Sequence, residues 1–193
     1  MYKLFSNKSI FIILFFSFYI CIKPSIVGSN NNYDELFKNS NFKKTEIQQI
    51  ISLLENAEKE GINTELLKNR IREGIAKQVK FKKLYKVINE KINYIKSANE
   101  LIDYYIKLGM KYNNRNYCIE SLSILLEKNF SKTDFTAITN LVFLRRMKLE
   151  DALILCKLLE SKKSNKETKD IILYGLLEEL KIDEIKSRIE NKK

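Results

Sequence analysis

The 193-residue sequence contains no histidine, no tryptophan, one proline and five glycines. Without histidine, the Ser-His-Asp and Cys-His catalytic arrangements and Cys/His zinc sites are excluded within this chain. Acid–base chemistry would depend on carboxylates, lysine, tyrosine or cysteine. We therefore expect no metal site, no cofactor and no catalytic residue of these classes.

The scarcity of proline and glycine also constrains the fold, because β-sandwiches and barrels need many tight turns. Hydrophobic residues make up 45% of the chain, which is ordinary for a globular protein. The sequence predicts an all-α protein with six or more helices in paired helical hairpins forming one compact bundle.

Residues 1–28 have the features of a signal peptide. Lys3 and Lys8 precede an apolar run from Ile10 to Ile22 that only Ser17 interrupts, and a cut after Gly28 is predicted. The run is shorter than the roughly 20 residues of a spanning helix. The alternatives are a membrane anchor formed by residues 10–22 and a lipoprotein cut at Cys21. The expected localisation is export, either periplasmic or secreted.

Apolar residues at helical spacing divide the rest of the chain. A polar linker over residues 29–42, with one short helical turn at 33–39, precedes a helical domain at 43–190. Gly109 and the loop to Asn116 form a weak internal boundary. The predicted helices cover residues 43–59, 65–78, 81–108, 117–128, 134–146, 149–161, 165–180 and 183–190, with Thr64 and Thr133 as N-caps. The two halves align weakly at an offset of 69 residues, for example Leu66 with Phe135.

The segment from Gly61 to Leu67, continued by Arg72–Val79 (Arg-Glu-Gly-Ile-Ala-Lys-Gln-Val), resembles a pattern in uncharacterised exported bacterial proteins. Those proteins carry a signal peptide and helices with a Glu-Gly-Leu-Ala-Lys-Gly-Val-Pro style segment. The prolines and the second glycine of that pattern are missing here. The resemblance implies export and an all-helical fold, and it implies no activity.

Lysine dominates the positive charge, with 29 lysines and 6 arginines against 24 acidic residues. Residues 64–96 hold ten basic side chains and three acidic ones. This segment is either an ordinary solvated face or a binding surface for an anionic partner. The candidate binding residues are Lys77, Lys80, Lys82, Lys83, Lys86 and Lys91. Export favours an anionic envelope surface, or an unknown envelope protein, over nucleic acid as the partner.

Two further features carry alternatives. Cys118 and Cys156 lie on apolar helical faces, so they are either a disulfide of an oxidising compartment or two buried thiols. Glu120-Ser121 matches only the start of the lytic transglycosylase motif. The sequence thus favours a non-enzymatic interaction or structural module of the bacterial cell envelope. The alternative is a carboxylate-dependent enzyme acting on cell-wall glycan.

Overall fold

The computed structural model describes residues 33–191, and these contain nine helices and no strand. Their bounds are α1 Asp34–Phe37, α2 Lys44–Lys59, α3 Glu65–Ala76, α4 Phe81–Lys107, α5 Arg115–Glu127, α6 Lys132–Leu144, α7 Leu149–Ser161, α8 Lys166–Leu177 and α9 Ile182–Glu190. The predictions of a signal peptide over 1–28, an anchor over 10–22 and lipidation at Cys21 lie outside the described residues, as do residues 29–32 of the linker.

The all-α prediction is confirmed, and the helices pack as a compact bundle. Each strong helix–helix contact joins elements that are neighbours or next neighbours in the chain, such as α3 with α4 and α5 with α7. Within the described part of the chain, no helix is long and apolar enough to cross a bilayer.

The packing follows a repeat of 17 residues that is exact across α5, α6 and α7. Each of these helices buries four positions in the same register. These positions are Cys118, Ser121, Leu122 and Leu125 in α5, Phe135, Ile138, Thr139 and Val142 in α6, and Ala152, Leu155, Cys156 and Leu159 in α7. The corresponding first buried position is Ile50 in α2, Leu67 in α3, Ala98 in α4 and Thr168 in α8. Neighbouring helices therefore bury equivalent faces against one another.

The turns repeat as well, because α2 to α8 all end in the same hydrogen-bonded cap. In each, a residue with left-handed backbone donates its N–H three residues back, and the next residue donates five residues back. This is the Schellman motif, which satisfies carbonyls that a helix end leaves free. The left-handed residues are Gly61, Gln78, Gly109, Asn129, Arg146, Lys163 and Glu179. Only two of the seven are glycines, so most of these turns carry no glycine signal.

The repeat corrects the predicted alignment of the two halves by one residue. An offset of 68 pairs buried Leu67 with buried Phe135. The predicted offset of 69 instead pairs Ile75 with Leu144, which is 74% exposed. A one-residue error is hard to detect when helical sequences are aligned, because leucine and isoleucine occur on both the buried and the exposed faces.

One predicted cap is confirmed in position only, and the other is wrong. Thr64 is the N-cap residue of α3, but its hydroxyl donates to Glu58, and the side-chain oxygen of Asn63 accepts the Glu65 N–H. α6 begins earlier than predicted, and Ser131 rather than Thr133 accepts the N–H of Asp134. In both cases a neighbouring side chain reaches the free N–H groups of the first turn.

Gly74 lies where α3 meets α4, and it permits a close approach there. A Cβ atom on Gly74 would lie 2.6 Å from Cδ1 of Leu84. The end of the chain repeats this arrangement, since a Cβ atom on Gly175 would lie 2.7 Å from Cγ1 of Ile185.

Candidate binding surface

The candidate lysines lie around the turn between α3 and α4. Lys77 follows the last residue of α3, Lys80 precedes α4, and Lys82, Lys83 and Lys86 lie in the first two turns of α4. All five side chains are exposed, and we call this group the lysine face. The structure therefore brings five of the six candidate residues to one end of α4.

Lys91 does not belong to that surface, because it is 6% exposed. Its ammonium group donates to Oε2 of Glu127 at 2.7 Å, while Arg70 donates to Oε1 of the same carboxylate at 2.7 Å. Burial of an unpaired lysine would be costly, and this ion pair between α4 and α5 offsets that cost. The inclusion of Lys91 among the binding residues is corrected: it is a structural residue.

The lysine face contains few internal counter-charges. Lys77 contacts Glu73 at 2.6 Å, and Lys86 lies 3.7 Å from Glu90. Among the described residues, no ion pair is formed by Lys80, Lys82 or Lys83. These three ammonium groups are available to an external anion.

The position of the lysines on their helix works against helix stability. A helix N-terminus carries partial positive charge, and cations near it cost about 0.3–1 kcal/mol each. The helices α2, α3, α6, α7, α8 and α9 have acidic residues in their first turn, whereas α4 and α5 have none. The first turn of α4 instead holds both Lys82 and Lys83, and a local arrangement that lowers stability is typical of a functional surface.

Aromatic packing holds the start of α4 in place beneath these lysines. Phe81 contacts Phe42 and Tyr85, with ring centroids 6.1 Å and 5.6 Å apart. A cavity of about 470 Å³ adjoins the lysine face and is lined by Phe42, Val79, Lys80 and Phe81 among others. Its lining also contains Glu46 and uncharged polar side chains, so Lys80 is its only basic residue.

The carboxylates give little support to the alternative of a carboxylate-dependent enzyme that cleaves glycan. Glu120 lines a cavity of about 50 Å³, far below the roughly 300 Å³ or more of ordinary ligand pockets. Burial alone would raise the pKa of Glu127 and of Glu150. A hydrogen bond from Lys91 nevertheless lowers the pKa of Glu127 below its ordinary value. Hydrogen bonds from the Asn113 and Asn114 N–H groups likewise lower the pKa of Glu150. A general acid for glycan cleavage needs a raised pKa.

A second groove, of about 460 Å³, is lined by Arg70, Lys91, Glu127 and Lys128 among others. Its charged groups mostly bind one another, so we assign it a structural role. No group of three or more potential metal ligands occurs among residues 33–191.

Cys118 and Cys156 are free and buried, in α5 and α7 respectively. Burial raises the pKa of the Cys118 thiol to about 12, and the nearby Glu150 carboxylate adds to the effect. Burial also raises the pKa of Cys156. Both thiols lie at core positions of the 17-residue repeat, where they act as small apolar groups.

Comparison of the chain with protein-family models, curated proteins and solved structures finds no match.

Proposed function

We propose that this protein is a non-enzymatic interaction module of the bacterial cell envelope that binds an anionic partner through the lysine face. The export of the chain is part of this proposal and depends on the character of residues 1–28. The observation that supports it best is the cluster of unpaired, exposed lysines at the N-terminal end of α4.

The repeat architecture supports the same conclusion. Arrays of short helices stabilise themselves through neighbour contacts, and their outer surfaces remain available to partners. Here the buried positions are filled by core residues, and the lysines contribute little to packing. The lysine face therefore has no evident role in folding, whereas it places several positive charges on one surface.

A charge-reversal variant, Lys82→Glu with Lys83→Glu and Lys86→Glu, tests the proposal. Binding of the chain to inorganic polyphosphate is measured at several salt concentrations. We expect the affinity to fall by about tenfold or more, since attraction is replaced by repulsion. The plot of log affinity against log salt concentration should become shallower, and its negative slope should lose roughly 0.7 in magnitude for each lost phosphate contact.

The matched control is Lys162→Glu with Lys163→Glu and Lys166→Glu, which changes the net charge equally. These three lysines are exposed: Lys162 and Lys163 follow α7, and Lys166 is the first residue of α8. They form no ion pairs among the described residues. The control should bind nearly as well as the unaltered chain. Equal losses in both variants would show that net charge alone drives binding, and the lysine face would then have no specific role.

A further inference from the structure

A second surface, on the C-terminal side of α4, exposes large apolar side chains. Eight such side chains are exposed in the described residues, and six of them lie at the ends of α4, α6 and α8 or in the loop after α4. We call these six the loop face: Tyr104, Leu108, Tyr112, Leu144, Tyr174 and Leu177. Leu144 and Leu177 are the most exposed, at 74% and 66%.

Hydrogen bonds hold the three loops of this face side by side. The Leu149 N–H donates to the Lys111 carbonyl at 2.9 Å, and the Lys148 ammonium donates to Asn113 at 2.9 Å. Arg145 donates to the Leu180 carbonyl at 2.8 Å. The loops after α4, α6 and α8 therefore form one continuous end of the bundle.

The repeat explains why these apolar side chains are not used in the core. Tyr104 and Tyr174 each lie six residues after the first buried position of their unit, and Leu144 and Leu177 lie nine residues after theirs. These positions point away from the buried stripe. Tyr104 and Tyr174 thus occupy one equivalent position, in α4 and α8, and Leu144 and Leu177 occupy another, in α6 and α8.

The same loops are rich in positive charge. Six basic side chains lie in these loops or at the end of α4. The acidic side chains are Glu178 and Glu179, together with Glu150, Asp151 and Glu184, whose carboxylates already accept backbone N–H groups of the loops. The basic residues are Lys107, Lys111, Arg145, Arg146, Lys148 and Lys181. Glu178 already contacts Arg188 at 3.1 Å, which removes part of the negative charge. The expected occupant is therefore anionic as well as apolar, which argues against a second copy of this basic chain.

We propose that the loop face docks onto a membrane surface containing anionic lipids. Tyrosine favours the membrane interface because its ring is apolar and its hydroxyl stays hydrated. The leucines would enter the boundary between headgroups and acyl chains, while the surrounding cations meet lipid phosphates. A protein helix would need a groove for its anchors, and none of the cavities described above is lined by these six residues.

Because the chain has no tryptophan, a single introduced tryptophan reports its own surroundings. Tyr112→Trp is mixed with vesicles of phosphatidylglycerol and phosphatidylcholine, and separately with phosphatidylcholine alone. We expect a blue shift of the emission with the anionic vesicles only. Tyr85→Trp, beside the lysine face, should show no shift. A shift of the Tyr85 reporter instead would place the membrane contact on the lysine face and overturn this proposal.

The double variant Leu144→Asp with Leu177→Asp should lower vesicle binding by roughly tenfold or more, because two apolar groups are replaced by negative charges. Both positions are exposed, so helix content should not change, and circular dichroism checks this. Ile124→Asp, at an exposed position of α5, is the control. Vesicle binding that survives the double variant would show that the loop face does not make the lipid contact, and it would overturn this proposal. The polyphosphate assay is independent, so failure of one proposal leaves the other standing.

Discussion

Replacement of Glu127 by glutamine should destabilise the fold more than any exposed ion-pair variant. The Lys91 side chain is 8% exposed and Glu127 is 30% exposed, and their charged atoms are 2.7 Å apart. Removing one partner of a buried pair costs about 3–5 kcal/mol. Because Glu127 is partly hydrated, we expect about 2–3 kcal/mol for Glu127→Gln.

Urea unfolding followed by circular dichroism measures this cost. At a typical slope of about 1–3 kcal/mol per molar urea, the midpoint should fall by about 0.7–3 M. Glu160→Gln is the matched control, since Glu160 pairs with Lys128, whose side chain is 54% exposed. That change should cost about 1 kcal/mol or less.

A second variant separates the ion pair from the packing. Lys91→Met combined with Glu127→Gln removes the buried cation as well, and replacing a buried pair by apolar groups is often nearly neutral. We expect this double variant to recover most of the loss. If it proves as unstable as Glu127→Gln alone, or if the single variant loses less than about 1 kcal/mol, the buried pair does not have the role assigned to it.

The pH dependence follows from the lowered pKa of Glu127. Burial alone would raise that pKa, but the hydrogen bond and charge of Lys91, with Arg70, more than offset it. A carboxylate with a lowered folded-state pKa stabilises the fold at pH values above its unfolded-state pKa. The contribution is lost as the pH falls through the folded-state pKa. The stability difference between the unaltered chain and Glu127→Gln should therefore shrink in acid.

Two further predictions concern the core. Gly74→Ala and Gly175→Ala should both destabilise by about 1–2 kcal/mol net of the helix propensity of alanine. Gly175→Ala should cost more, because Cγ1 of the β-branched Ile185 moves less easily than the leucine tip at Gly74; the reverse order in urea unfolding would refute this. In a Cys21→Ser chain at pH 8, Cys118 and Cys156 should react with a disulfide reagent only after unfolding, since burial raises both pKa values. Rapid labelling of the folded chain would contradict their burial.

The helical pattern predicted most helix bounds to within a few residues, because the buried faces are regular. α7 begins and ends as predicted, at Leu149 and Ser161. The repeat length was missed because its turns are closed by residues such as Gln78, Asn129 and Glu179 in left-handed backbone. Glycine is the residue expected at such positions. The hydrogen bonds of the Schellman motif join backbone atoms, so the other side chains do not reveal it.

The binding surfaces were predictable only in part. The lysine face follows from charge density in residues 64–96, whereas the burial of Lys91 depends on a carboxylate 36 residues away. The loop face was not predicted, because the predicted alignment paired Leu144 with Ile75 although Leu144 is 74% exposed. That error is a one-residue difference in helix register, which apolar spacing alone does not resolve.

The length of α4 has a geometric consequence for both proposed surfaces. α4 carries Lys83 near its beginning and Tyr104 near its end, and no turn interrupts the 20 residues between them. At about 1.5 Å per residue, these positions are about 30 Å apart. The helix therefore sets a fixed distance between an anion bound at the lysine face and a membrane contacted by the loop face.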